Sequence, residues 1–314
     1  MGLAGCCLAW QRWFRDQPFT WEDDDREGAA SRMAAGLINP VTGKNFNASW
    51  RIADFLPEAE AFYARVGEAL GRQFWFPLPV WRLVGAKEWD KIAGKLEEAR
   101  PWIERVEEDV PGWRAAVILK GGGRVATRDL CEATRGFFAA ARQPIAEGRE
   151  ILCEGAAGLI AGRLGGHRCA KGEILTVRAR SWHQERIVIG AGGWLVPIGG
   201  DLYKAGATYV WDRLDGQPTP EGRARIGEIL RALGGDDFEV IAHDAGVRPI
   251  VRKSQPLIGA LPDGRVIFNG LGSKGSLYAP GVSARLNAWL SEGLPIEPDL
   301  DVAGLGLRRS DHGI

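Results

Sequence analysis

Gly2 and Gly5, in the opening run Met1-Gly2-Leu3-Ala4-Gly5, have the spacing of the last two glycines of a G-x-G-x-x-G fingerprint. In that motif the glycines let a helix N-terminus approach a pyrophosphate, whose charge the free amides and helix dipole stabilise. The full motif has a buried strand before its first glycine. Met1 stands beside the place of that glycine, so the first strand is expected to be missing. An acidic residue closing the second strand, about 20 residues past the glycines, would accept the ribose hydroxyls. Phe19-Thr20-Trp21 reads as that strand and runs into Glu22-Asp23-Asp24-Asp25, with Asp23 as the candidate acceptor. A solvated acidic turn is the other reading of this run. His167, His183, His243 and His312 show neither metal nor triad spacing, and the five cysteines (Cys6, Cys7, Cys131, Cys153, Cys169) lack C-x-x-C spacing. Reduced thiols in a cytoplasmic protein are the expectation.

A chain of 314 residues suffices for one large domain or two interleaved ones. Its 45% hydrophobic and 25% charged composition is ordinary for a soluble globular protein. Lys plus Arg and Asp plus Glu both total 40, so no global field favours nucleic acid or an anionic membrane. No apolar run approaches the roughly 20 residues of a membrane helix.

Periodicity places the elements that would carry these residues. Residues 53–70 have helical spacing, with Gly71 as terminator. Trp89 to Arg105 reads as a second, charge-rich helix, and Thr127 as the N-cap of a helix through Phe138. Glu173–Val177, Arg186–Ile189, Trp194–Ile198 and Leu202–Tyr209 read as strands. On the last of these, Lys204, Gly206 and Thr208 share one face, opposite Tyr203 and Tyr209. Glu221 to Leu233 is helical, Val266–Phe268 is a strand, and a long helix starts near Pro280. Residues after Pro298 read as a loose tail.

Four segments, in this order, resemble the D-amino-acid-oxidase-like family of FAD-dependent oxidoreductases, which includes glycine oxidase, sarcosine oxidase and a tRNA-modifying oxidase domain. They are residues 2–9, residues 29–37, Ala245-Gly246-Val247-Arg248-Pro249, and Asn269-Gly270-Leu271-Gly272-Ser273-Lys274-Gly275. The resemblance implies FAD as cofactor, a small amine or amino acid as substrate, and hydride transfer to flavin N5, with oxygen or another acceptor taking the electrons. It implies that Ser31 and Arg32 lie along the pyrophosphate and flavin, and that small Ala35 and Gly36 pass close to the ring. A tight packing face is the other reading of those small residues. Gly155 resembles a loop residue near the cofactor. Gly270, Leu271, Gly272, Lys274 and Gly275 resemble the loop over the pyrimidine end of the ring, where a helix N-terminus would stabilise negative charge.

Arg248 matches the arginine that grips a substrate carboxylate in glycine-oxidase-like members. A guanidinium fork suits that task; pairing with Asp244 is its alternative. Lys204 is similar to a lysine held over the flavin that promotes reaction with oxygen, or else it is a surface strand lysine.

The fold implied is α/β. A discontinuous FAD-binding Rossmann-like domain (1–45, 123–172, 246–314) interleaves with an α+β substrate domain (46–122, 173–245) carrying a mostly antiparallel sheet. The missing first strand and a short link before Ile151 depart from the family pattern. They leave open a non-catalytic member that holds FAD poorly, and the Gly270–Gly275 loop leaves open a tRNA-modifying amine oxidase. Neither nucleic acid nor membrane is expected as a partner.

Overall fold

Apolar residues at helical spacing make α1 (Leu3–Trp13), which in the computed structural model buries Leu3, Cys7, Leu8 and Trp10. The structure describes residues 1–26, 28–43, 45–141, 148–251 and 254–305. After α1 come α2 (Ala30–Met33), β1 (Leu37–Ile38), the hairpin β2 (Val41–Thr42) and β3 (Asn47–Ala48), and α3 (Ile52–Leu70). Next are β4 (Trp75–Pro77), β5 (Val80–Val84), α4 (Ala86–Ile92), β6 (Ile103–Glu108), β7 (Ala115–Leu119), β8 (Gly123–Val125) and α5 (Thr127–Ala140). β9 (Ile151–Leu152), α6 (Gly155–Ile160), β10 (Ala170–Arg178), β11 (Ile187–Gly190), β12 (Gly193–Gly199) and β13 (Leu202–Gly206) follow. The chain continues through α7 (Pro220–Leu233), β14 (Glu239–Arg248), β15 (Leu257–Ala260), β16 (Val266–Asn269) and α8 (Gly275–Glu292).

Eight strands form one sheet, in the order β14-β10-β13-β12-β11-β5-β7-β6. Its neighbours pair antiparallel except β11 with β5. A second sheet, β15-β16-β9, ends in the parallel pair β16–β9. The fold is thus mixed α/β with a large, mostly antiparallel sheet, as the sequence implies. Helix α7 packs Ile226, Ile229 and Leu230 on one sheet face, against Leu175, Val177 and Tyr203. Residues Val80, Val117, Leu119 and Val196 pack on the other, with Ala35, Val41 and Phe46. Helix α3, from the stretch assigned to the substrate domain, shares its core with α1 and α8: Phe55, Ala59 and Phe62 pack with Leu3, Trp10, Leu277 and Val282. Among the described residues no helix is long and apolar enough to cross a membrane.

Several sequence expectations are corrected. Phe19–Trp21 forms no strand; Phe19 is held by packing, 5.2 Å edge-on from Phe138. The predicted helix over 89–105 stops at Ile92, because Gly94 and Pro101 interrupt it and Ile103 onward pairs with β7. Thr127 is the first helical residue rather than the cap. Its hydroxyl donates instead to the Ala34 carbonyl (3.4 Å). Helix α8 begins at Gly275, five residues before Pro280. The carbonyl that Pro280 cannot pair with, that of Ser276, accepts the Tyr63 hydroxyl (2.8 Å). The tail after Pro298 is not loose throughout. Leu300 is fully buried, and the Leu300 carbonyl and Val302 amide bond to Ile258 at 2.9 Å each. His312 and the rest of the tail from 306 lie outside the described residues.

Phe55, fully buried, packs 5.4 Å from Tyr278 of α8. Phe55→Ala is expected to cost about 3–5 kcal/mol in urea unfolding; a loss below about 1 kcal/mol would show that α3 and α8 do not share a core.

Candidate active site

Helix α1 presents its N-terminus to a cleft of about 1370 Å³. The Leu3 amide donates to Ser31 Oγ (3.0 Å) and the Cys6 amide to the Gly2 carbonyl (3.0 Å). Among the described residues, the amides of Ala4 and Gly5 meet no protein acceptor. Free amides at a helix N-terminus suit an anion, so these residues fit the pyrophosphate of a dinucleotide such as FAD. Gly2, Gly5, Asp23, Ser31, Arg32, Gly155 and Leu271 all line this one cleft.

The acidic run behaves differently from a simple ribose acceptor. Asp23 pairs with the Met1 amine and with Arg135 Nε, the latter at 2.7 Å. Burial opposes its ionisation, but the Met1 amine and Arg135 outweigh that and hold its pKa below the usual carboxylate range. Glu22 lines the same cleft, is exposed, and has no cation within ion-pair distance among the described residues. Arg32 pairs with Asp25. Sequence reasoning missed Arg135, which lies on α5 far from the acidic run in the chain. The cleft is also lined by Phe19–Trp21 and by Ile151–Cys153. No ladder joins these two segments, and β9 is left at the edge of its sheet.

Arg248 and Lys204 lie on the large sheet. Ala170 of β10 pairs with Arg248, and Thr176 of β10 pairs with Lys204. Positions 170 and 176 differ by an even number, so both basic side chains leave the same face. Gly172, Gly206 and Gly246 lie on that face between them. A Cβ at Gly172 would stand 2.1 Å from Arg248 Nη2, and one at Gly246 would stand 2.5 Å from Met33 Sδ. The glycines therefore keep a floor on which Arg248 and α2 lie close to the backbone.

Arg248 Nη1 donates to the carbonyls of Lys171 (3.3 Å) and Thr208 (3.1 Å). Its guanidinium stacks on Tyr209, 3.9 Å from the ring centroid. Among the described residues Nε and Nη2 have no acceptor, and neither Asp244 nor any other carboxylate comes within 4 Å. Burial lowers the pKa of Arg248 from the ordinary arginine value. Lys204 Nζ donates to the carbonyls of Met33 (2.6 Å) and Ala34 (3.3 Å). Burial, partly opposed by Asp244, brings its pKa down to about 8.

Tyr209 was expected opposite Lys204, yet it shares the lysine's face. Strand β13 ends at Gly206, which pairs with Ile174, and pairing resumes at Val210 with Lys171. Four steps along one chain thus face three along the other. That extra residue is a bulge, and it inverts the alternation. Tyr203 keeps its expected side, in the core under α7, where its hydroxyl accepts from the Gln184 amide (3.1 Å).

The remaining candidates are placed around these two regions. Gly36 has φ +68°, and a Cβ there would stand 1.8 Å from the Val125 carbonyl oxygen. Ala35 is buried in the core beside β2. Both pack on protein rather than lining the cleft. The Asn269 side chain ties Gly155 to Gly270, donating to the Gly155 carbonyl (2.9 Å) and accepting from the Gly270 amide (2.8 Å). The Gly272 amide donates to the Pro249 carbonyl (3.0 Å), next to Arg248. Gly275 packs against Leu3 at the start of α1. Lys274 Nζ donates to Thr42 Oγ1 (2.9 Å), and burial lowers its pKa. The loop 270–275 therefore joins α1 to the end of β14. Gly270, Gly272, Lys274, Gly275, Ala35, Gly36, Lys204 and Arg248 are absent from the lining of the large cleft.

Residues 143–289 match the DAO family, described as FAD dependent oxidoreductase. Glycine oxidase of Pseudomonas aeruginosa is 32% identical over 139 residues, 42% of this chain and 37% of that protein. A tRNA 5-methylaminomethyl-2-thiouridine biosynthesis bifunctional protein of Idiomarina loihiensis is 29% identical over 92 residues, 28% of this chain and 15% of that protein. The matches thus span well under two thirds of both curated relatives. The crystal structure of glycine oxidase from Geobacillus kaustophilus superposes with a TM-score of 0.77 at 20% identity, covering 98% of this chain and 96% of that one. Residues 143–289 thus resemble the DAO family, and the chain as a whole is similar in fold to that glycine oxidase structure.

Proposed function

We propose that this protein binds FAD and oxidises a small amine or amino acid bearing a carboxylate. The observation that carries the reading is the single sheet face that holds both Arg248, with two nitrogens free of carboxylates, and half-buried Lys204, above a floor of glycines. When bound, FAD supplies the two-electron acceptor and hands the electrons on to oxygen or another acceptor. The free Nε and Nη2 of Arg248 grip the substrate carboxylate in a fork and orient the carbon beside it. Lys204 holds the end of α2 against the sheet through two carbonyls and keeps a third donor and a positive charge. Ala4 and Gly5 offer their amides to the pyrophosphate, and Glu22, unlike Asp23, has a carboxylate available for the ribose hydroxyls. Two curated relatives carry amine chemistry in their names, and the glycine-oxidase fold supports the same class.

A second reading has its own observation: Phe19–Trp21 and β9 flank the cleft without a strand ladder between them. Backbone left without a ladder makes a loose cradle, which favours weak FAD binding. A visible spectrum separates the readings. Purified protein titrated with FAD is expected to hold a near-stoichiometric yellow flavin band through gel filtration, and loss of the band on filtration would leave the second reading standing.

Anaerobic addition of an amino-acid substrate should bleach that band. Arg248→Lys keeps the charge but loses the fork, and should raise KM for carboxylate substrates by about 10- to 100-fold, equivalent to roughly 1.5–3 kcal/mol. Unchanged KM would remove Arg248 from the site. For Lys204, the ammonium is present below its pKa of about 8 and lost above it. The rate at which oxygen restores the yellow colour should therefore fall as pH rises through about 8. Lys204→Met should give a low rate with no break there. A wild-type profile without this break would deny Lys204 its role.

A further inference from the structure

Behind the sheet face that carries Arg248 lies a partly buried ionic network that the chemistry above does not use. Lys171 and Glu173 are each 1% exposed, and strand alternation sends them from β10 to the side opposite Gly172. Lys171 Nζ donates to Asp215 Oδ1 (2.6 Å) and stands 3.8 Å from Glu173 Oε1. Glu173 accepts from the Thr219 amide (2.8 Å) and hydroxyl (2.7 Å), and meets His243 Nε2 at 2.9 Å. Asp215 also accepts from Arg213 Nε (2.7 Å); Lys171 and Arg213 hold its pKa well below the usual carboxylate range. Burying an ammonium and a carboxylate costs about as much as their attraction returns, so such a network is a poor source of stability. What it does impose is one geometry for the groups that satisfy it.

All of those groups except His243 of β14 belong to residues 207–219, the same segment that holds Arg248. Thr208 gives the carbonyl and Tyr209 the ring that position the guanidinium. Val210 exchanges two backbone hydrogen bonds with Lys171 (2.8 and 3.0 Å). Lys171 thus meets the segment twice, by backbone at Val210 and by Nζ at Asp215, while its own carbonyl accepts from Arg248. On the other face the guanidinium lies directly over Gly172, where any side chain would displace it.

We propose that the Lys171–Glu173–Asp215 network fastens the 207–219 segment and so sets the position of Arg248, leaving its Nε and Nη2 free for a carboxylate. This rests on the reading of Arg248 as the carboxylate grip. Lys171, Glu173 and Asp215 are positioning residues, acting through the sheet on a group they do not touch with their side chains. Gly172 belongs with them, since its missing side chain is the space Arg248 occupies.

The test is calorimetric titration of FAD-saturated protein with glycolate, and with its neutral counterpart glycolamide, alongside thermal melting. Asp215→Asn should weaken glycolate binding roughly tenfold and Gly172→Ala more strongly, because a misplacement near 1 Å can cost about 100-fold. Glycolamide binding and the melting temperature should move far less. Tyr209→Phe should recover most of the glycolate affinity lost in Tyr209→Ala, since the ring is what stacks. If Arg248→Lys loses glycolate while Asp215→Asn and Gly172→Ala keep it, the fastener is overturned and the carboxylate reading stands. Loss of both ligands in step with a lowered melting temperature also overturns it, in favour of plain destabilisation. If Arg248→Lys binds glycolate as the wild type does, or the wild type does not prefer glycolate to glycolamide, the carboxylate reading falls and the fastener with it.

Discussion

Arg248 can cross the sheet only because position 172 has no side chain. With a Cβ there its Nη2 would lie at 2.1 Å, so the guanidinium would have to leave the Thr208 and Lys171 carbonyls. The same bareness recurs at Gly246, where Met33 of α2 settles on the backbone. Close approach of α2 in turn brings the carbonyls of Met33 and Ala34 onto Lys204. One constraint, the bare backbone at Gly172 and Gly246, thus governs where Arg248 lies and how closely α2 approaches the large sheet.

The end proposed to hold the nucleotide obeys a different logic, that of helix termini. Ser31 satisfies one amide of α1 and leaves two to the cleft, so the proposed anion site is built from groups a helix must expose anyway. Around it the charges are already partly paired. Asp23 and Asp25 share Arg135, which knits the acidic run to α5 and transfers the free carboxylate to Glu22. Packing rather than ladder pairing holds Phe19–Trp21 in place, so this side of the cleft is supported by aromatic contacts to α5 and not by backbone hydrogen bonds.

Much of this was legible in residues alone. The alternation in 173–177 and 194–198, and the helical spacing in 53–70 and 221–233, correspond to β10, β12, α3 and α7, because local period reports which side of an element meets the core. The errors have local causes as well. Gly94 and Pro101 were available as breaks in the charged run, and they were outweighed by its spacing. The early start of α8 was hidden because Pro280 looks like a first-turn residue. Only the approach of Tyr63, more than 200 residues away, gives the Ser276 carbonyl a partner. Lys171 gave no signal, since a lysine at a strand start normally reads as exposed.

The sequence by itself determined the element types, the glycine positions and the set of chemically competent side chains, for these depend on propensity and period within a few turns of chain. Only the tertiary structure decided that Tyr209 stands beside Arg248 rather than opposite Lys204. It also decided that Asp23 is consumed by Arg135, that α3 packs with α1 and α8, and that Lys171 and Glu173 are buried together. Each of those outcomes is a pairing between residues distant in sequence, set by register across strands and by which faces come into contact, and a one-residue bulge is enough to reverse it.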